Sequence, residues 1–119
     1  ARYNLANLLV RQGQLTEAET EFRELLQRVP GHDRARNNYG LVLVRLKRPE
    51  EAVDQFREAL RAEPENIEAR FNLASVLLSL RQWDEAVTHL EWILGRQPHH
   101  PGVRQKLEEA RRLRALGGG

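Results

Sequence analysis

Asp33 to Asn66 reads DRARNNYGLVLVRLKRPEEAVDQFREALRAEPEN, and the rest of the 119-residue chain is that stretch again or its edge. Two apolar-periodic segments, Ala35 to Leu46 and Glu50 to Ala62, flank a short polar turn at Lys47 to Pro49, and Pro64 closes the unit. Apolar residues every three or four positions put one buried stripe on each segment, so the stretch is a helix hairpin. A shift of 34 positions carries Ala52 onto Ala18 and Ala86, Phe56 onto Phe22 and Leu90, and Pro64 onto Pro30 and Pro98. Three columns of different chemistry fix a single period, the signature of stacked hairpins that each bury a face on the next.

The copies divide the chain into a first repeat at 1–32, a second at 33–66, a third at 67–100, a last helix within 101–116 and a glycine tail at 117–119. The first helix runs from Ala1 to Gln12 with Leu5, Leu8 and Leu9 on one side, and Gly13 ends it where a left-handed cap favours glycine. Thr16 is the expected N-cap of the next helix, with Glu17 and Glu19 in a first turn that attracts negative charge. Its stripe is Leu15, Ala18, Phe22, Leu25, Leu26 and Val29, and Pro30 and Gly31 break it. In the second repeat Pro49 takes a first-turn position where proline is tolerated, followed by Glu50 and Glu51. The third repeat replaces the turn glycine with Arg81 and sets Trp83 where the first has Leu15. After Pro101 a lone helix, Val103 to Leu116, turns Val103, Leu107, Ala110 and Leu113 inward. Glu108 falls in the column of Ala6, Gly40 and Ala74, small residues that let helices approach closely. A carboxylate cannot pack that way, so this helix is the expected polar-backed cap of the stack.

Composition narrows the function classes. Forty per cent hydrophobic and 30% charged residues are ordinary globular values. The chain has no cysteine, which removes disulfides and thiolate chemistry and suits a reducing compartment such as the cytoplasm. No run is long enough for a membrane span, and the start lacks the charged-then-apolar pattern of a signal peptide. There is no initiator Met, and the chain is expected to be a piece of a longer protein. Net charge is +2, with the excess in the last helix at Arg104, Lys106, Arg111, Arg112 and Arg114; a solvated terminal face accounts for it, and nucleic-acid binding is not expected. His32, His99 and His100 adjoin turn prolines or glycine and imply no metal site. No phosphate loop is present, and Ser75 and Ser79 have no base within helical reach, so neither an enzyme nor a cofactor is expected.

The three units resemble tetratricopeptide repeats over essentially the whole chain. The family pattern of large, small and large residues appears as Leu5, Ala6 and Leu9, as Tyr39, Gly40 and Leu43, and as Leu73, Ala74 and Leu77. Its second-helix pattern is matched by Ala52, Phe56, Ala59 and Pro64. Two departures are Leu25 and Ile93 in place of the small third residue, and Arg2, Arg36 and Arg70 in place of an early tryptophan. The resemblance implies an all-α fold, an α-solenoid of three helix hairpins with a capping helix, whose first helices line a concave groove for an extended peptide or a partner helix. Projected onto this chain, the groove shows Tyr3, Asn4, Asn7, Arg11, Arg34, Asn37, Asn38, Leu41, Arg45, Phe71, Asn72 and Ser75. Asn4, Asn38 and Asn72 recur at one slot, and an amide offers both donor and acceptor to a peptide backbone. The carboxylate clamp of heat-shock co-chaperones would fall on Tyr3, Asn7, Asn38, Glu68 and Asn72, where every cation is missing, so no such ligand is expected. A protein or peptide ligand is the leading expectation. Self-association, or an accessory scaffold role in a larger protein, is the alternative, motivated by the apolar leading face of the first helix.

Overall fold

A computed structural model describes residues 2–117; Ala1 and the last two residues of the 117–119 tail lie outside the described residues. Among the described residues the chain forms seven helices and no strand: α1 (Arg2–Arg11), α2 (Leu15–Arg28), α3 (Asp33–Arg45), α4 (Pro49–Ala62), α5 (Ile67–Ser79), α6 (Trp83–Arg96) and α7 (Val103–Leu116). They group into two compact units, Ala1–Asn66 and Ile67–Gly119.

The turns inside the three hairpins share one geometry. Gly13, Lys47 and Arg81, one period apart, all have positive φ, at +77°, +63° and +65°. The amides of Gln14, Arg48 and Gln82 donate to the carbonyls of Leu9, Leu43 and Leu77 at 2.9, 2.9 and 2.8 Å, the six-to-one bond of a Schellman motif. Glycine adopts this conformation freely, whereas a side chain costs about 1 kcal/mol there, which Lys47 and Arg81 carry. The turn places the next helix start early. The residue flanking α2 is Gln14, which makes no side-chain cap bond, so Thr16 is already inside the helix and is not its N-cap. At α3 the cap is a histidine: His32 Nδ1 accepts the Ala35 amide at 3.1 Å.

In the first unit α2 packs between α1 and α3, α4 packs on α3, and α1 touches α3. Ala6, Ala18, Phe22, Leu43, Ala52 and Phe56 are wholly buried in its core. Val29, expected on the apolar stripe, follows the last residue of α2 and is 46% exposed. Gly40 meets Phe56 so closely that an added Cβ would lie 2.6 Å from the ring. Glu19 is a second departure from expectation. It shares a column with Val53 and Val87 and is buried with them rather than standing in a solvated first turn. Its carboxylate takes ion pairs from Arg48 and Arg23, each at 2.7 Å, and the Tyr39 hydroxyl lies at 3.5 Å. The Arg48 hydrogen bond outweighs desolvation and holds the Glu19 carboxyl below the usual glutamate range.

In the second unit α6 packs on α5 and on α7. Leu73, Leu77, Leu90, Ile93, Val103, Leu107 and Ala110 are buried, Leu113 is half-buried, and Glu108 faces solvent. Arg111 pairs with Glu91 across α7 and α6 at 2.8 Å.

The arginines that replace the early tryptophan tie each hairpin together. Arg2 pairs with Glu21, Arg36 donates to Gln55, and Arg70 bonds His89, each partner 19 residues onward in the second helix of the same hairpin. Arg2 also pairs with Glu24, whereas Arg70 lies 3.9 Å from the centre of the Trp92 ring at the corresponding slot. One column thus does the same bridging with a carboxylate, an amide and an imidazole.

Candidate functional site

In the first unit α1 and α3 enclose a cleft of about 560 Å³, lined by Asn7, Val10 and Arg11 from one helix and Asn38, Leu41, Val42, Val44 and Arg45 from the other. Leu41 is 40% and Val44 37% exposed, so the apolar floor is open to solvent. An amide cluster forms its polar edge. Asn38 Nδ2 donates to Tyr3 Oη at 3.0 Å and to Asn7 Oδ1 at 3.1 Å. Both Asn38 amide hydrogens are therefore spent inside the protein, and the side chain offers a ligand only its carbonyl oxygen. Nδ2 of Asn7, by contrast, makes no hydrogen bond to another described residue. Tyr3 is held in turn against the His32 ring, with ring centres 4.8 Å apart and the planes tilted by 33°.

The structure brings together Tyr3, Asn7, Arg11, Asn38, Leu41 and Arg45 of the projected groove residues in this unit. Asn4 and Arg34 are exposed beside the cleft but do not line it. Asn37 is corrected: it is 2% exposed and cannot meet a ligand from solvent. Adjacent helix positions point about 100° apart, so with Asn38 on the cleft side Asn37 turns into the packed side. Its slot is the one that holds Tyr3 and Phe71, each packed against a histidine ring 29 residues later. Val10, Val42 and Val44 also form part of the lining and were not projected. The signal was present, since they alternate with the projected Arg11, Leu41 and Arg45 at the ends of α1 and α3.

Charge is segregated by helix in this unit. α1 and α3 together carry five arginines against the single acid Asp33, whereas α2 and α4 carry eight acids against four arginines. Arg2 and Arg36 point at the second helices, as described above. Arg11, Arg34 and Arg45 make no ion pair with another described residue.

The second unit keeps its projected residues apart. Phe71 packs against the His100 ring with centres 5.1 Å apart and lines a smaller cavity of about 240 Å³ with Gly102, Gln105, Lys106 and Glu109. Asn72 and Ser75 are half-buried outside that lining, and the Ser75 hydroxyl donates to the Phe71 carbonyl at 3.0 Å. His100 does not repeat the capping role of His32. Pro101 and Gly102 delay the start of α7 to Val103, whose amide meets the His100 carbonyl, and His100 Nδ1 is buried with no partner among the described residues. No group of three or more His, Asp or Glu among the described residues could hold a metal ion, and none of the described helices is long and apolar enough to cross a membrane.

Two tetratricopeptide repeat models match the chain, one over residues 3–67 and one over residues 43–109. No curated protein matches it significantly. Among solved structures the chain is similar to the first TPR domain of Spaghetti (RPAP3) bound to the HSP90 peptide SRMEEVD, with TM-score 0.91 and 18% identity over 96% of this chain and 90% of that one. It is similar to MamA from Desulfovibrio magneticus RS-1, with TM-score 0.89 and 22% identity over 94% of this chain and 63% of that one. It also resembles the P58(IPK) TPR domain, with TM-score 0.84 and 24% identity over 98% of this chain but only 33% of that one. At these identities the likeness is one of fold.

Proposed function

The chain belongs to the tetratricopeptide repeat family, whose domains are generally protein–protein interaction scaffolds, and on that premise we propose that it binds an extended peptide or partner helix on the α1/α3 face of its first unit. The observation that carries the reading is the open cleft of about 560 Å³, where the exposed side chains of Leu41 and Val44 lie in one lining with the Asn7 and Asn38 amides. Its size and its mixture of apolar surface with a few fixed polar groups are those of a ligand site. Asn7 donates to a ligand carbonyl and Asn38 accepts from a ligand N–H, so the two together serve a peptide backbone. The ligand differs from the HSP90 peptide of the RPAP3 structure, because Tyr3, Asn7, Asn38, Glu68 and Asn72 supply no cation for a terminal carboxylate. The experiment is a displayed-peptide selection on the folded chain, repeated on Leu41→Asp and on Val29→Asp, which changes an equally exposed apolar residue outside the cleft. Binding lost only in Leu41→Asp supports the reading. Binding unaffected by Leu41→Asp sinks it.

A second reading, self-association, rests on α1. Leu5 and Leu8 are 44% and 45% exposed, yet one period later the same slots hold Tyr39 and Val42, which are buried, Tyr39 stacked on Phe22 of α2. The leading side of α1 therefore presents a surface that α3 covers with a helix. Light scattering on the wild type and on a Leu5→Glu, Leu8→Glu variant decides it, and a wild-type monomer at high concentration removes it.

A further inference from the structure

Resting on the peptide-binding reading of the α1/α3 cleft, we infer that its occupant is an acidic peptide segment that inserts an apolar side chain and requires no free C-terminus. The lining contains two guanidinium groups, Arg11 and Arg45, and no carboxylate. Neither arginine is neutralised by a described acid, and Arg34 adds a third free cation to the same helix pair. The acids of this unit are concentrated on α2 and α4, so the complementary charge must come from outside. Arginine in the last turn of a helix is favoured by the helix dipole in any case, and this alone would make Arg11 and Arg45 unremarkable. The repeat argues against that explanation. One period beyond Arg45 the slot holds Ser79, and α5 has no basic residue in its last turn, so the fold does not require a cation there.

The apolar floor selects the rest of the chemistry. Val10, Leu41, Val42 and Val44 are aliphatic, and no aromatic ring lines the cleft for bases to stack on. A peptide side chain fits this surface better than a nucleobase does. Asn7 and Asn38 occupy the polar edge and act on backbone groups, so nothing in the lining demands a terminal carboxylate.

The test uses fluorescence anisotropy with the whole chain and three labelled octapeptides, all acetylated and amidated. The first has leucine and phenylalanine between flanking aspartates and glutamates, the second replaces those acids with lysines, and the third keeps the acids but replaces leucine and phenylalanine with serine. The first should bind at least about tenfold more tightly than either of the others, with an affinity that falls as salt rises. Arg11→Glu with Arg45→Glu should reverse the preference toward the lysine peptide, and Leu41→Asp should abolish binding of both, with helicity retained. Equal binding of the acidic and basic peptides, or an unchanged preference in the charge-reversed variant, would overturn the charge requirement while leaving the cleft as the site. Equal binding of the serine peptide, or of a single-stranded oligonucleotide, would overturn the apolar anchor. If no peptide responds to Leu41→Asp, the peptide-binding reading itself fails.

Discussion

Replacing Gly40 with alanine tests the packing logic of the central hairpin. Two terms oppose each other. Alanine is favoured over glycine inside a helix by about 1 kcal/mol. Against that, the new Cβ would lie 2.6, 2.8 and 3.0 Å from three atoms of the Phe56 ring, and Phe56 is wholly buried. Distances this short force the ring or the α3/α4 backbone to move, and overpacking of this kind costs about 1–3 kcal/mol. The net expectation is a loss of up to about 2 kcal/mol. The neighbouring hairpins show how the strain is relieved. The third pairs Ala74 with Leu90, and the first pairs Ala6 with Phe22, whose ring lies toward Tyr39 with centres 6.5 Å apart. Phe56→Leu should therefore cost less in the Gly40→Ala background than alone, with a coupling of about 1 kcal/mol or more. Urea unfolding followed by far-UV circular dichroism measures all four proteins, with the slope checked for constancy. A Gly40→Ala protein about 1 kcal/mol more stable than wild type would refute the reasoning, because the whole helix-propensity gain would then appear and the ring would have relaxed without cost.

Two further outcomes follow from the first unit and from the turns. Glu19→Gln removes the carboxylate that Arg48 and Arg23 share and should cost about 2 kcal/mol at neutral pH. Because the folded pKa of Glu19 is depressed, chiefly by the Arg48 hydrogen bond, its contribution is present above the ordinary glutamate pKa and disappears as pH falls through the folded value. Wild type and variant should therefore converge in stability as pH falls below the folded value of Glu19, and a gap that persists at the acid end of the titration would mean the effect is packing rather than charge. Arg81→Gly and Lys47→Gly relieve positive φ and should each raise the unfolding free energy by about 0.5–1 kcal/mol, read as a higher urea midpoint, whereas the same change at a normal helical position lowers it.

Most of the fold was legible because a repeat states its pattern several times. Proline, alanine and aromatic columns each located the hairpins independently, and the range Val103 to Leu116 came from the same register. What stayed hidden was chemistry that depends on partners far along the chain. Glu19 looks like a first-turn carboxylate until its column is compared with Val53 and Val87, and its bond to Arg48 cannot be inferred from local spacing. Arg2, Arg36 and Arg70 looked like a lost tryptophan rather than three ties to the second helices. In the cleft, the side of α1 and α3 was legible from helical period, but a one-residue difference decided that Asn38 faces the cleft and Asn37 does not. Hydrogen-bond direction was not legible at all: the Asn38 amide was expected to serve a ligand with donor and acceptor, and it gives both hydrogens to Tyr3 and Asn7.

The segregation of charge between first and second helices makes the first unit an electric dipole, although the whole chain carries only +2. An anionic ligand of the kind proposed for the cleft would experience a torque as well as an attraction, and would be turned toward the cleft before contact. Its capture would then be fast at low ionic strength and slow as the Debye length contracts, while the residence time, if set by the aliphatic floor, would change little. For such a body the isoelectric point describes an average that neither face possesses.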